Sequence, residues 1–155
     1  MELRVVDFDV LTRNYKNYQI GLKNIEGEKN GFLTKLGPIK QEMENIIEMA
    51  NNGSITDPSM LSIKEKRFQE IQEEAVRIDT EFKASMRRMH DELNKTTFDE
   101  LSVIINDWSI SNNIDLVIGK MEVVFLTSKY EATDYIIELL KKNDLFVESV
   151  EEVMI

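Results

Sequence analysis

Few side chains in this sequence are of a type and spacing that could do chemistry, and each lacks partners. Asp7 and Asp9, in "VDFDV", form an acidic pair that could hold a cation, but no histidine or third carboxylate stands at a spacing that would complete a coordination shell. The same pair suits a helix cap better. The single histidine, His90, lies in "RRMHDEL" beside Asp91 and Glu92. One imidazole among neighbouring carboxylates reads as a solvated residue rather than a zinc ligand or a general base. The clustered acids of "EIQEE" and "EEVMI" have the spacing of solvated helix faces. No nucleophile stands with a base near a glycine-rich turn, and no phosphate-cradling G-x-x-x-x-G-K-[ST] run occurs. The sequence therefore names no catalytic, cofactor-binding or metal-ligating residue, and the reading is of a protein that is not an enzyme.

Composition narrows the partners. The 155 residues carry a formal charge of -10, which repels nucleic-acid phosphates and anionic lipid at long range, so no nucleic-acid partner is expected. No cysteine is present, which excludes disulfides and thiolate metal sites. No stretch approaches the length of about 18 apolar residues expected of a membrane span. "MELRVVDFDV" has no basic segment followed by a long apolar run. A cytoplasmic location is expected for the sequence as given, and a periplasmic one if a signal peptide has been removed. Charged residues make up 31% of the chain, a proportion that favours long solvated helices.

The elements that must position any site follow from periodicity. "LRVVDF" reads as a short strand, after which Asp7 or Asp9 caps a helix beginning near Val10. Tyr18, Leu22, Ile25, Phe32, Leu36, Ile39, Met43, Ile46 and Ala50 then follow alternating steps of four and three, interrupted only at Lys29. That seam predicts a helix from about Tyr15 to Ala50 packed along its length against another helix. Gly37-Pro38 interrupts it, predicting a bend or local break and a candidate hinge. "NNGSITDPS", residues 51–59, is the strongest turn signal, with Asn52-Gly53 suited to a helix end and Asp57-Pro58 to a new start. A second seam runs through Leu61, Phe68, Ile71, Ala75, Ile78 and Phe82, shifts phase at Met86, and continues to Trp108. Two such helices joined by a tight turn form an antiparallel hairpin.

Both chain ends return to the base of that hairpin. There "IDLVIGKMEVVFLTS" reads as a β-hairpin, with strands at about Asp115–Ile118 and Val123–Thr127 turning at Gly119-Lys120, followed by a helix in "YEATDYIIELLKKN". Three short strands cover little apolar surface, so the sheet must be completed from elsewhere. The fold class expected is α+β: a long helical-hairpin arm, residues 15–108, on a small β-body, residues 1–14 and 109–143, shared between subunits. The tip lies at 51–59. Residues 144–155 form an acidic and apolar tail that docks on its own oligomer or on a partner.

A short strand, two long helical arms, a β-hairpin and a final helix, with "DLV" at Asp115–Val117 and a threonine-initiated helix from Thr133, resemble the Skp/OmpH family of trimeric chaperones. The resemblance implies a homotrimer whose β-body is built by all three chains and whose helical arms shelter unfolded client protein without ATP. On that reading Val5, Val117, Ile118, Val123, Val124 and Phe125 are the candidate oligomerisation residues. Met49, Ile55 and Met60, near the tip, are the candidate contacts for a client, since thioethers adapt to varied apolar surfaces. Gly37 and Pro38 remain the candidate hinge. Family members commonly carry a basic surface. Here Lys40, Lys64, Lys66 and Arg67 near the tip stand against Glu42, Glu44, Glu48, Asp57, Glu65, Glu70, Glu73 and Glu74. An alternative follows from this charge: a non-catalytic structural component of a larger particle that clasps one specific partner.

Overall fold

The computed structural model describes residues 1–149. They form β1 (Leu3–Val6), α1 (Phe8–Asn14), α2 (Lys16–Asn51), α3 (Pro58–Ser111), β2 (Leu116–Gly119) and α4 (Thr133–Lys142), with short 3-10 turns at Lys120–Glu122 and Ser128–Tyr130. The chain divides into two compact units. A hairpin unit comprises Asn24–His90, and a terminal unit comprises Met1–Lys23 with Asp91 to the chain end. Among the described residues, no helix is long and apolar enough to cross a membrane.

In the terminal unit Asp7 caps α1, its carboxylate accepting from the backbone N–H groups of Asp9 and Val10 at 3.1 and 3.2 Å. The acidic pair thus satisfies a helix end. The backbone of Tyr15 is extended (φ -78°, ψ 122°), which separates α1 from α2 and frees main-chain groups at the break. The chain's own C-terminal segment takes them up: Lys16 N–H donates to Leu145 O at 2.8 Å, and Val147 N–H donates to Asn14 O at 2.9 Å. Tyr15 and Phe146 form an antiparallel bridge there. Residues 145–149 thus pack against their own chain, which differs from the docking on an oligomer or a partner expected of the tail, while Val150–Ile155 lie outside the described residues.

A core of Val6, Leu11, Tyr15, Leu101, Ile105, Ala132, Ile136 and Leu140 joins β1, α1, the end of α3 and α4. Ile136 and Leu140 lie one helical turn apart on the buried face of α4, as the i, i+4 spacing requires. Thr133 opens α4 and ties it to β1, because its hydroxyl accepts from Asp7 N–H at 2.8 Å and donates to Glu131.

The sheet differs from the sequence reading. β1 and β2 pair in parallel, Val5 opposite Ile118, with the whole helical pair as their crossover connection. The expected antiparallel hairpin does not form within the chain. A two-residue hairpin turn needs a positive φ, whereas Gly119 is extended at φ -69° and ψ 141°. Lys120–Glu122 then winds as a 3-10 turn and carries the backbone away from β2. Val123–Thr127 is consequently not a strand of this sheet.

In the hairpin unit α2 and α3 pack side by side, with Phe32 and Phe82 meeting edge to face at 5.3 Å between ring centres. Gly53, at φ 74°, takes the left-handed conformation just past the end of α2. Asp57 caps α3 by accepting from Ser59 N–H at 2.9 Å, and Pro58 occupies the first helical position. The boundaries match the turn chemistry. The local break expected before Pro38 is absent: α2 runs helical from Lys16 to Asn51 with Pro38 inside it.

Candidate interaction site

Two apolar surfaces stand out, one in each unit. In the terminal unit the connector after β2 is mostly exposed: Met121 is 84% exposed, Phe125 81%, and Val124 fully so. Val123 (φ -112°, ψ 123°) and Thr127 (φ -88°, ψ 152°) are both extended, so the segment between them starts and ends in strand geometry. Yet it has no ladder partner among the described residues. β2 is bonded on one side only, by β1, while the other side of β1 is occupied by Glu131 through a bridge to Val5 and by Ala132 N–H donating to Val5 O at 2.9 Å. Among the described residues one strand edge is thus left open, and an apolar segment that is extended at its two ends and bent at Val124 is left unpaired.

The apolar surface continues around β2. Phe8 and Phe98 stack at 5.2 Å, and Phe98 is 57% exposed. They border a cleft of about 520 Å³ lined also by Ile105, Ile110, Leu116 and Val117. A second cleft, of about 840 Å³, runs from Phe8 and Phe98 to Tyr18, Lys120 and Met121.

The candidate oligomerisation residues separate on this geometry. Val5 is buried inside its own chain, and Val117 and Ile118 are half-buried on β2. Val123 is half-buried, and Val124 and Phe125 point into solvent. Phe8, Phe98 and Met121 were missed by the sequence reading. Phe98 sits off the heptad seam, and that exposed aromatic was the available signal.

At the tip of the hairpin unit a groove of about 330 Å³ is lined by Ile46, Ile47, Ala50, Ile55, Leu61 and Phe68, with Lys64 and Glu65 at its margin. Ile55 of the predicted contacts belongs to this lining. Met60 is exposed nearby in sequence at the start of α3, and Met49 is half-buried; neither lines the groove. Ile47 and Leu61, both more than one-third exposed, were missed or assigned to the seam. Across the two helices Arg67 grips Glu42 through two hydrogen bonds of 2.8 and 3.1 Å, and this guanidinium holds the Glu42 carboxyl below its ordinary range.

Net charge is unevenly placed. The hairpin unit holds ten lysines and arginines against twelve acids, while the terminal unit, over its full sequence, holds nine against seventeen. The acidity of the chain is therefore concentrated in the terminal unit, and the helices that carry the tip groove are close to neutral. His90 is exposed, and among the described residues no three histidine, cysteine or acidic side chains gather closely enough to hold a metal ion.

The sequence matches no protein-family model, and no curated protein matches it either.

Proposed function

We propose that this chain is a subunit of a Skp-like homotrimer that shelters non-native protein without ATP. The observation that carries the reading is an open β2 edge in the same unit as an exposed apolar segment, Val123–Thr127, which begins and ends in strand geometry, bends at Val124 and has no ladder partner among the described residues. An exposed strand edge and a free extended segment are complementary in main-chain hydrogen bonding, so the segment of one copy completes the sheet of the next. Donor and acceptor are different surfaces, which makes the contact head-to-tail, a type that forms a ring when the rotation between copies closes. Three copies is the number that the resemblance implies. The hairpin units then act as the holding elements, with Ile47, Ile55 and Leu61 offering an apolar patch on a nearly neutral background. Several weak grips acting together give avidity while each stays reversible.

The acidic terminal unit supports a second reading, in which the same oligomer is a fixed component that clasps one basic partner. The two are separated by measuring the mass of the purified protein by light scattering, alone and after mixing with a chemically unfolded client. A trimer that carries unrelated unfolded proteins in its peak and suppresses their aggregation supports the holdase. A trimer that ignores them moves the assignment to the fixed component, and a monomer at micromolar concentration overturns both.

A further inference from the structure

The hairpin unit contains one helix built to hold and one built to yield. α3 runs for 54 residues with no glycine, and its one proline occupies the first position, where it costs nothing. α2 carries Gly27, Gly31, Gly37 and Pro38 within twelve residues. A methyl group added at Gly27, Gly31 or Gly37 would meet nothing within 4 Å, and none of the three has a positive φ. Neither close packing nor backbone conformation calls for a glycine at these positions. Gly21, in the terminal unit, is the contrasting case, since a Cβ there would clash with the Leu93 side chain. Each free glycine lowers helix stability relative to alanine, and Pro38 removes a hydrogen bond from the ladder.

Packing is also thin over the same stretch. Ile25 and Ile46 are buried, but none of the twenty residues from Glu26 to Asn45 between them is. A cleft of about 300 Å³ opens beside this stretch, lined by Phe32, Lys35 and Ile39 on α2 and by Glu74, Ile78 and Glu81 among others on α3. Low helix propensity, few buried contacts and an existing cleft coincide, and these are the physical marks of a segment that opens locally.

We propose that residues 27–38 of α2 unlatch from α3, which stays helical as a strut, and that the opening exposes a second apolar strip formed by Phe32, Leu36, Ile39, Ile78 and Phe82. The strip takes apolar segments of extended polypeptide, larger than the tip groove accepts. This use rests on the holdase reading; the opening itself does not.

The test uses the full-length protein. Hydrogen exchange followed by mass spectrometry should show amides of 27–38 exchanging at least about tenfold faster than those of the facing stretch 71–86. The triple variant G27A/G31A/G37A should slow that exchange by roughly 10- to 100-fold, from about 2- to 5-fold per glycine. Because the chain has no cysteine, Ile78→Cys reports the opening directly by thiol labelling, with Ile71→Cys as the control outside the cleft. Labelling at 78 should be the faster and should fall in the triple-alanine background. Equal protection of the two helices, or labelling at 78 indifferent to the alanines, overturns the proposal whether or not the protein holds clients. Fast exchange and labelling with unaltered client capture in the triple variant retains the opening and refutes the strip as a client site.

Discussion

Tyr15 sits at the break between α1 and α2, and its hydroxyl ties that break to α3. It is 2% exposed, donates to a Glu100 carboxylate oxygen at 2.8 Å and accepts from the Asn17 amide at 3.2 Å. Burial first, and then the hydrogen bond and negative charge of Glu100, push the phenol up from 10.0 to about 12. A phenol whose pKa is raised by folding stabilises the fold fully below pH 10 and loses that contribution as pH rises through 12, because the unfolded chain releases the proton first. Two pH units correspond to about 2.7 kcal/mol. Tyr15→Phe removes both the hydrogen bond and the linkage. At pH 7 the variant should be less stable by about 1 to 1.5 kcal/mol, the usual net worth of such a bond. Between pH 10 and 12 the wild type alone pays the titration cost, which reaches about 1.4 kcal/mol at pH 11. The two stability curves should therefore meet near pH 11 and then reverse. All other groups are common to the two proteins, so their contributions cancel. Urea-unfolding midpoints measured from pH 8 to 11.5 give the difference directly. A gap between the two proteins that stays constant over that range would refute the raised pKa of Tyr15.

Val124→Asp should leave the stability of the isolated subunit unchanged by urea unfolding, since this side chain is fully exposed; under the proposed strand completion between copies it should weaken self-association by at least about 100-fold, read by sedimentation over a concentration series, because a carboxylate would be buried there. Ile136→Ala, in the fully buried face of α4, should cost about 3 kcal/mol and move the whole terminal unit's denaturation midpoint. Truncation after Asp144 removes the backbone bonds of Leu145 and Val147 to the α1–α2 break, and should lower stability by on the order of 3 kcal/mol in the same denaturation assay.

The long helices were legible in the sequence because their signals are local and repeated. Heptad spacing placed α2 and α3, while Asn52-Gly53 and Asp57-Pro58 set their facing ends through capping and proline geometry. The sheet was not legible, because strand pairing is a long-range choice. "LVIG" and "VVFLT" have the composition of two hairpin strands, but β2 found its partner 113 residues earlier, Leu116 opposite Leu3, and the intervening Gly119 kept an extended backbone. The cap was legible as Asp7 or Asp9, because an Asx cap needs only the next few residues; the structure uses Asp7 and starts the helix at Phe8, two residues before the expected Val10. The apolar border at Phe8 and Phe98 was not, since each lies outside its helix's seam and the two meet only in the folded unit. Of the bend or local break expected before Pro38, the break does not occur: proline's cost is local, and the helical ladder continues on both sides of it.

Burial is divided between the units in a way that separates folding from function. Nine of the thirteen buried apolar residues lie in the terminal unit and four in the hairpin unit, which holds Ile25, Ile46, Ile71 and Ile78. A core such as Leu11, Leu101, Ile136 and Leu140 must form as a whole, because each side chain is packed by residues from a different element. Substitutions there should act on global unfolding. In the hairpin unit each buried isoleucine is followed along its helix by several exposed residues, so the loss of one contact changes local opening and leaves the terminal core intact. The holdase reading needs that division. An element that grips unlike chains has to rearrange at small cost, and it can do so only if the body that holds it in the oligomer takes its stability elsewhere.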